Sequence, residues 1–187
     1  IFSLLTLQLN GATAAPVKRA VAIVVDKATY ENCRQAVELY SQSVSAEGLN
    51  AIVIVDKWGV PDSIKVRLLN LYETQNLEGT VLIGDIPVPM IRDAHHLATA
   101  FKMNPSRPWQ ESSIPSDRFY DDFDLKFNYL KRDTLQPLYY YYSLAGDGPQ
   151  EIECDIYSAR IKAPATPGKT KYQLISEYLQ KVVKEKA

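Results

Sequence analysis

The run VAIVV at Val21–Val25, followed by Asp26, gives the first indication of the fold class of this chain. Five consecutive apolar residues, most of them β-branched, are typical of a strand that is buried on both faces of a sheet. Two further runs of this kind follow, AIVIV before Asp56 and TVLI before Gly84 and Asp85. The sequence therefore predicts three buried strands, each with an aspartate at or just after its end.

Helices are predicted between these strands. Helical spacing of apolar residues predicts helices over 29–46, from Pro61 to about Leu77, and from Thr170 to the end of the chain. Strands that alternate with helices form βαβ units with parallel strands and right-handed crossovers. We therefore expect an α/β fold, with three αβα layers and a mostly parallel sheet. The strand-end aspartates then share the carboxyl edge of the sheet, where open α/β sheets bind ligands.

The segment between Pro87 and Pro137 lacks this periodicity. It contains six prolines together with many polar and aromatic residues. We expect a long irregular connection with one short hairpin, and connections of this length in a compact domain are usually functional. Strands are predicted to return at Leu138–Leu144 and at Ile152–Ile161, on either side of a glycine-rich turn.

Composition and the first residues bear on partners and location. The formal net charge is −1, which does not favour a nucleic acid or an anionic membrane as partner. Without a run of eighteen apolar residues, no membrane span is expected.

Residues 1–16 fit a truncated secretory signal, since apolar Ile1–Leu9 precedes ATAA at 12–15, or a leading strand with leucines alternating over 5–10. The signal interpretation predicts a secreted or cell-envelope protein whose residues 17–187 form one α/β unit.

Two cysteines and two histidines are the candidates for nucleophilic chemistry. Cys33 and Cys154 fall in segments predicted to be regular, where a small buried hydrophobic residue is the ordinary role, and their spacing does not indicate a disulfide. Cys33 lies near a helix start, so a dyad with His95 or His96 is one hypothesis. Surface histidines in a loop are the alternative.

Acidic residues offer a second kind of site. Asp121, Asp122 and Asp124 form a cluster in the irregular segment, and several more carboxylates follow the turn at 146–148. Hard oxygen ligands on a turn are what Ca²⁺ selects. Solvated loop residues are the other interpretation of this cluster.

From Val81 onward, the order of motifs resembles the amino-terminal subdomain of the gingipain family of caspase-like cysteine peptidases. The resemblance rests on order and spacing more than on any one motif. The matching segments are VLIGD at 81–85 with IP at 86–87, SDRFY at 116–120, GD at 146–147, and DIYSARI at 155–161, before a long closing helix.

The resemblance implies a caspase-like half-domain that scaffolds a peptidase. In the family, the catalytic histidine and cysteine lie beyond the closing helix, so this chain alone would be inactive. Its partners would be the remainder of the domain and a protein or peptide substrate. The resemblance also implies a structural calcium site, which corresponds here to Asp85, Asp147 and Asp155 with a backbone carbonyl near Leu144.

Two other hypotheses remain open. One is a non-catalytic, calcium-stabilised α/β module that binds a protein or a glycan through aromatic residues at Trp109, Phe119, Tyr120 and Tyr139–Tyr142, although alternation within a strand explains the tyrosines equally well. The other is a self-sufficient enzyme that uses an unrecognised carboxylate or histidine site. Peptide hydrolysis by the chain alone would distinguish the second of these from a scaffold half.

Overall fold

The computed structural model describes residues 18–92, 104 and 106–186, and two four-stranded sheets organise this part of the chain. Sheet A consists of β1 (Ala20–Asp26), β2 (Asn50–Asp56), β3 (Leu77–Ile83) and β8 (Tyr157–Ile161). Its order is β2-β1-β3-β8, and every pairing is parallel. The predicted α/β fold with a mostly parallel sheet is confirmed.

Helices cover both faces of sheet A, as three αβα layers require. One face packs on α1 (Lys27–Ala46) and α4 (Lys171–Lys186), and the other packs on α2 (Pro61–Gln75), α3 (Arg118–Asp121) and the second sheet. All seven residues of β1 are buried, because this strand lies between β2 and β3 with apolar side chains against both layers. This double coverage explains the unbroken VAIVV run.

The order of connections creates a switch point in sheet A. The chain leaves β1 for β2 on one side and then crosses back to β3 on the other side of β1. Consecutive right-handed crossovers in opposite directions place α1 and α2 on opposite faces of the sheet. A crevice therefore opens at the carboxyl ends of β1 and β3, which is the usual ligand position in open α/β sheets.

Sheet B contains three short strands from the segment predicted to be irregular, β4 (Val88–Arg92), β5 (Ser113–Pro115) and β6 (Phe127–Arg132), together with β7 (Tyr139–Leu144). The prediction of one irregular connection missed these three strands. Sheet B has the spatial order β5-β4-β7-β6, and only its β4–β7 pairing is parallel. Pairing with other strands of sheet B decides β4, β5 and β6, because their own sequences show no clean period.

The last strand is shorter than predicted. It begins at Tyr157 rather than Ile152, because backbone N–H groups of the preceding residues bind elsewhere. The N–H of Glu153 donates to the Asp122 carboxylate at 3.0 Å, and the N–H of Asp155 donates to the carbonyl of Asp121 at 2.9 Å. These bonds hold the segment against α3 and keep it out of the sheet.

Candidate site at the carboxyl edge of sheet A

Asp26 stands at the carboxyl end of β1 and caps α1. Its Oδ1 accepts the N–H of Thr29 at 3.0 Å, and its Oδ2 accepts the N–H of Asp85 at 2.7 Å. The side chain is almost fully buried, so these two bonds compensate for the lost hydration of the carboxylate. Asp26 thereby links the ends of β1 and β3 at the switch point.

Gly84 makes this link possible. Its φ of +88° lies in the left-handed region, and a Cβ at this position would collide with the carboxylate of Asp26 and the side chain of Thr29. Only glycine can therefore turn the chain here and aim the next N–H at Asp26. The Gly-Asp pair at the end of the third strand is thus required by the geometry of the turn.

Asp85 forms an ion pair with Lys171, at the start of α4. Hydrogen bonding to Asp85 raises the pKa of Lys171. A cleft of about 420 Å³ opens beside this pair, between the α1 N-terminus and the loop after β2. Its lining includes Trp58, whose indole N–H donates to the carbonyl of Val25 at 2.9 Å. Asp56 does not line this cleft, and its carboxylate accepts the N–H of Lys57 at 2.7 Å.

Arg160 contacts the segments that resemble the gingipain family, on the face of sheet A that packs against α2 and α3. Its guanidinium binds both carboxylate oxygens of Asp117, at 2.7 and 3.1 Å, and donates to the carbonyls of Ile86 and Pro87 at 2.9 and 3.1 Å. The hydroxyl of Tyr120 donates to the same Pro87 carbonyl at 2.9 Å. Three segments far apart in sequence therefore meet at one guanidinium, and the role of Arg160 is structural, not catalytic.

A second cluster lies near the amino end of β8. Asp121 is fully buried, and its Oδ2 accepts from Ser158 at 2.5 Å and from Arg118 at 2.8 Å. Burial raises the pKa of Asp121 to about 6. Asp122 is also buried, and burial raises its pKa. The expectation of solvated loop residues is therefore wrong for these two aspartates, although Asp124 is exposed.

The four residues proposed for calcium do not meet in this structure. Asp85 lies just before β4, whose first residue pairs with the first residue of the parallel strand β7, whereas Leu144 ends β7. Five residue steps of a strand separate those ends by about 17 Å. Asp147, beyond Leu144, is highly exposed and lies 3.8 Å from Lys126.

Asp155 is likewise remote from Asp85. It precedes β8 at the amino edge of sheet A, and its carboxylate accepts the N–H of Phe123 at 2.7 Å. Among residues 18–92, 104 and 106–186, no group of three or more histidine, cysteine, aspartate or glutamate side chains could hold a metal ion. This arrangement does not fit the proposed ligand set, and calcium binding stays a prediction.

The candidate nucleophiles are also separated. Cys33 is buried within α1, its thiol donates to the carbonyl of Tyr172 at 3.3 Å, and burial raises its pKa. A raised pKa disfavours the thiolate that nucleophilic attack requires. Cys154 was predicted to be buried but is exposed, with its sulfur against Arg118. Both cysteines are free, and His95 and His96 lie outside the described residues.

The aromatic residues proposed as a binding surface are mostly core residues. Phe119, Tyr120 and Tyr140–Tyr142 are buried, and the three tyrosines of this strand each donate a hydroxyl hydrogen bond. Trp109 is enclosed by Arg92 and Lys131, at 4.2 and 3.9 Å from its ring centroid. These residues stabilise sheet B and offer no open aromatic platform.

No helix in the described part of the chain is long and apolar enough to cross a bilayer. Comparison with protein-family models, with curated proteins and with solved structures finds no match to this chain.

Proposed function

We propose that this chain is the amino-terminal scaffold half of a gingipain-like cysteine peptidase domain whose catalytic histidine and cysteine lie in downstream sequence. The convergence on Arg160 carries this proposal. Three of the segments that resemble the family, at 84–87, 116–120 and 155–161, are joined through it in one hydrogen-bonded network. The segments that carry the resemblance are therefore packed against one another through a single side chain.

The open side of sheet A supports a downstream partner. Among the described residues, β8 pairs only with β3, so its other edge presents free backbone N–H and C=O groups. A groove of about 350 Å³ runs between the end of β8 and α4. Tyr178, which lines this groove, is half exposed. An additional strand and its helix from a larger domain would cover this surface.

The described thiols fit a scaffold role. Cys33 is buried, and Cys154 lies at the amino edge of sheet A, away from the switch-point cleft. In the proposed mechanism a downstream thiolate attacks the scissile carbonyl and a downstream histidine protonates the leaving amine. The residues described here would position the sheet that carries those groups.

Expression of the longer reading frame tests the proposal. We expect a Gly-His-Gly segment and a strand-end cysteine after residue 187, and peptide hydrolysis that is lost when that cysteine is changed to alanine. The matched controls are Cys33→Ala and Cys154→Ser, which should retain hydrolysis because neither thiol belongs to the dyad. The chain of 187 residues alone should show no turnover.

Other results would contradict the proposal. Hydrolysis by the chain alone, or its loss in Cys154→Ser, would favour a self-sufficient enzyme. A longer frame without both residues would favour the non-catalytic module, for which the groove beside Tyr178 and the cleft at the switch point are candidate surfaces. The buried aromatic residues give that module no support.

A further inference from the structure

The carboxyl edge of sheet A brings two aspartates together. The Oδ2 of Asp26 accepts the N–H of Asp85, so the two residues are directly linked. Asp26 is only 8% exposed, whereas the Asp85 side chain is 39% exposed. Neighbouring carboxylates with restricted hydration destabilise each other unless a positive charge lies nearby. A positive charge beside Asp85 would therefore stabilise this edge.

Lys171 supplies a positive charge at this place. Its ammonium group pairs with the Oδ2 of Asp85 and lies 5.0 Å from the centroid of the Tyr172 ring. Lys171 is the first residue of α4, where the positive end of the helix dipole disfavours a lysine. A lysine at this position is explained by the carboxylate that it meets.

We infer that the ammonium group of Lys171, and not a metal ion, provides the charge that stabilises Asp85 and Asp26 at the switch point. The other proposed calcium ligands, Asp147 and Asp155, lie at the far ends of the two sheets and have partners of their own. Both oxygens of Asp26 already accept backbone N–H groups. Calcium requires six to eight oxygen ligands, whereas an ammonium group needs a single carboxylate.

This pair also docks α4. The carbonyl of Tyr172 accepts the thiol of Cys33 in α1, so the start of α4 is held both by a neighbouring helix and by the end of β3. A lysine thus ties the closing helix to the edge that lines the cleft. The inference rests on these contacts and stands independently of the peptidase proposal.

Thermal melts of the whole chain test the inference. We expect the same Tm in millimolar Ca²⁺ and in EDTA. Lys171→Met should lower the Tm by about 3 °C, since a chain of this length loses 2–4 °C for each kcal/mol. The matched control is Lys169→Met, which breaks the exposed ion pair with Glu177 and should change the Tm by less than about 1 °C.

A double-variant cycle separates the pair from general effects of substitution. In an Asp85→Asn background, Lys171→Met should cost much less than in the parent chain, because its partner is already neutral. A Tm that rises with Ca²⁺ in the parent chain and no longer responds in Asp85→Asn would overturn the inference in favour of a metal site. Equal losses for Lys171→Met and Lys169→Met would also overturn it.

Discussion

Two aspartates at opposite ends of α3 connect this short helix to β8, and they are satisfied very differently. Asp117 binds Arg160 through both carboxylate oxygens. Asp121 is fully buried and receives Arg118 and Ser158 on Oδ2, while its Oδ1 has no hydrogen-bond partner among the described residues. One carboxylate is therefore paired completely and the other only in part.

The difference shows that burial and ion pairing contribute separately to the stability of a carboxylate in the folded protein. The Asp117–Arg160 pair retains some solvent access, with side chains 24% and 17% exposed, and both carboxylate oxygens accept from the guanidinium. Asp121 has a cation nearby, yet desolvation dominates and raises its pKa to about 6. We therefore expect loss of charge to be harmful at Asp117–Arg160 and favourable at Asp121.

The largest effect is expected when Arg160 is replaced. Arg160→Met should lower the free energy of unfolding by about 4 kcal/mol, because Asp117 loses its counter-ion and the carbonyls of Ile86 and Pro87 lose their donors. Urea denaturation measures this change.

Two control variants accompany Arg160→Met. One keeps the positive charge at position 160, and the other removes an arginine from an exposed ion pair. Arg160→Lys should remain well below wild-type stability, because one ammonium group cannot reproduce the bidentate geometry. Arg107→Met, at an exposed ion pair with Glu111, should change stability by no more than about 0.5 kcal/mol. Equal effects of Arg160→Met and Arg107→Met would remove the structural basis of the proposed function.

The second effect is a dependence of stability on pH through Asp121. Its pKa rises from 3.8 to about 6 on folding, so the folded state binds the proton more tightly than the unfolded state. The stabilisation is present at low pH and is lost as pH rises through the window between these values, by up to about 3 kcal/mol at 1.36 kcal/mol per unit.

Asp121→Asn isolates this contribution from the other carboxylates, because asparagine does not titrate. The free energy of unfolding of the parent chain, minus that of Asp121→Asn, should fall between pH 4 and pH 7 in parallel denaturation series. A difference that stays constant over this range would mean that Asp121 is ionised in the folded state throughout, and that its pairing is as complete as that of Asp117.

The smallest effect is expected at Cys154, which contacts the same Arg118 that binds Asp121. Cys154→Ser should change the free energy of unfolding by less than about 0.5 kcal/mol, because the residue is exposed. Cys33→Ser, at the buried thiol, should cost about 1 kcal/mol or more. A shift in the pH response of Asp121 in Cys154→Ser would show that the thiol helps to hold Arg118.

Local sequence pattern predicted correctly those strands and helices whose own residues carry a clear hydrophobic period. The continuous apolar run VAIVV predicts a buried strand, and in the structure both faces of that strand are covered. The apolar stripe of the last residues predicts an amphipathic helix, which the structure contains. The helix predicted to begin at Pro61 does begin there, since proline is favoured in the first turn. Each of these elements is determined by neighbours in sequence.

Pattern failed where partners were distant. Strands β4 and β6 exist because β7 pairs with both. The sequence of a short strand without a clean period does not predict a pairing partner many residues away. The family resemblance implied one ligand set at Asp85, Asp147 and Asp155, whereas parallel pairing places these residues at different sheet ends. A Lys at the start of α4 was the signal that could have been followed, since it opposes the helix dipole.

Local pattern alone specifies the α/β class, the strands β1, β2 and β3 of sheet A, and the aspartates at its carboxyl edge, because hydrophobic period and strand-end position are local properties. The prediction that β2 is buried was wrong, because β2 is an edge strand and is only half-buried. Only the tertiary structure decided which charges meet. It pairs Asp85 with Lys171 and Asp117 with Arg160, and it leaves Asp121 buried with one oxygen unpaired. Electrostatic partners depend on distance and burial in space, and neither quantity is encoded in the spacing of residues along the chain.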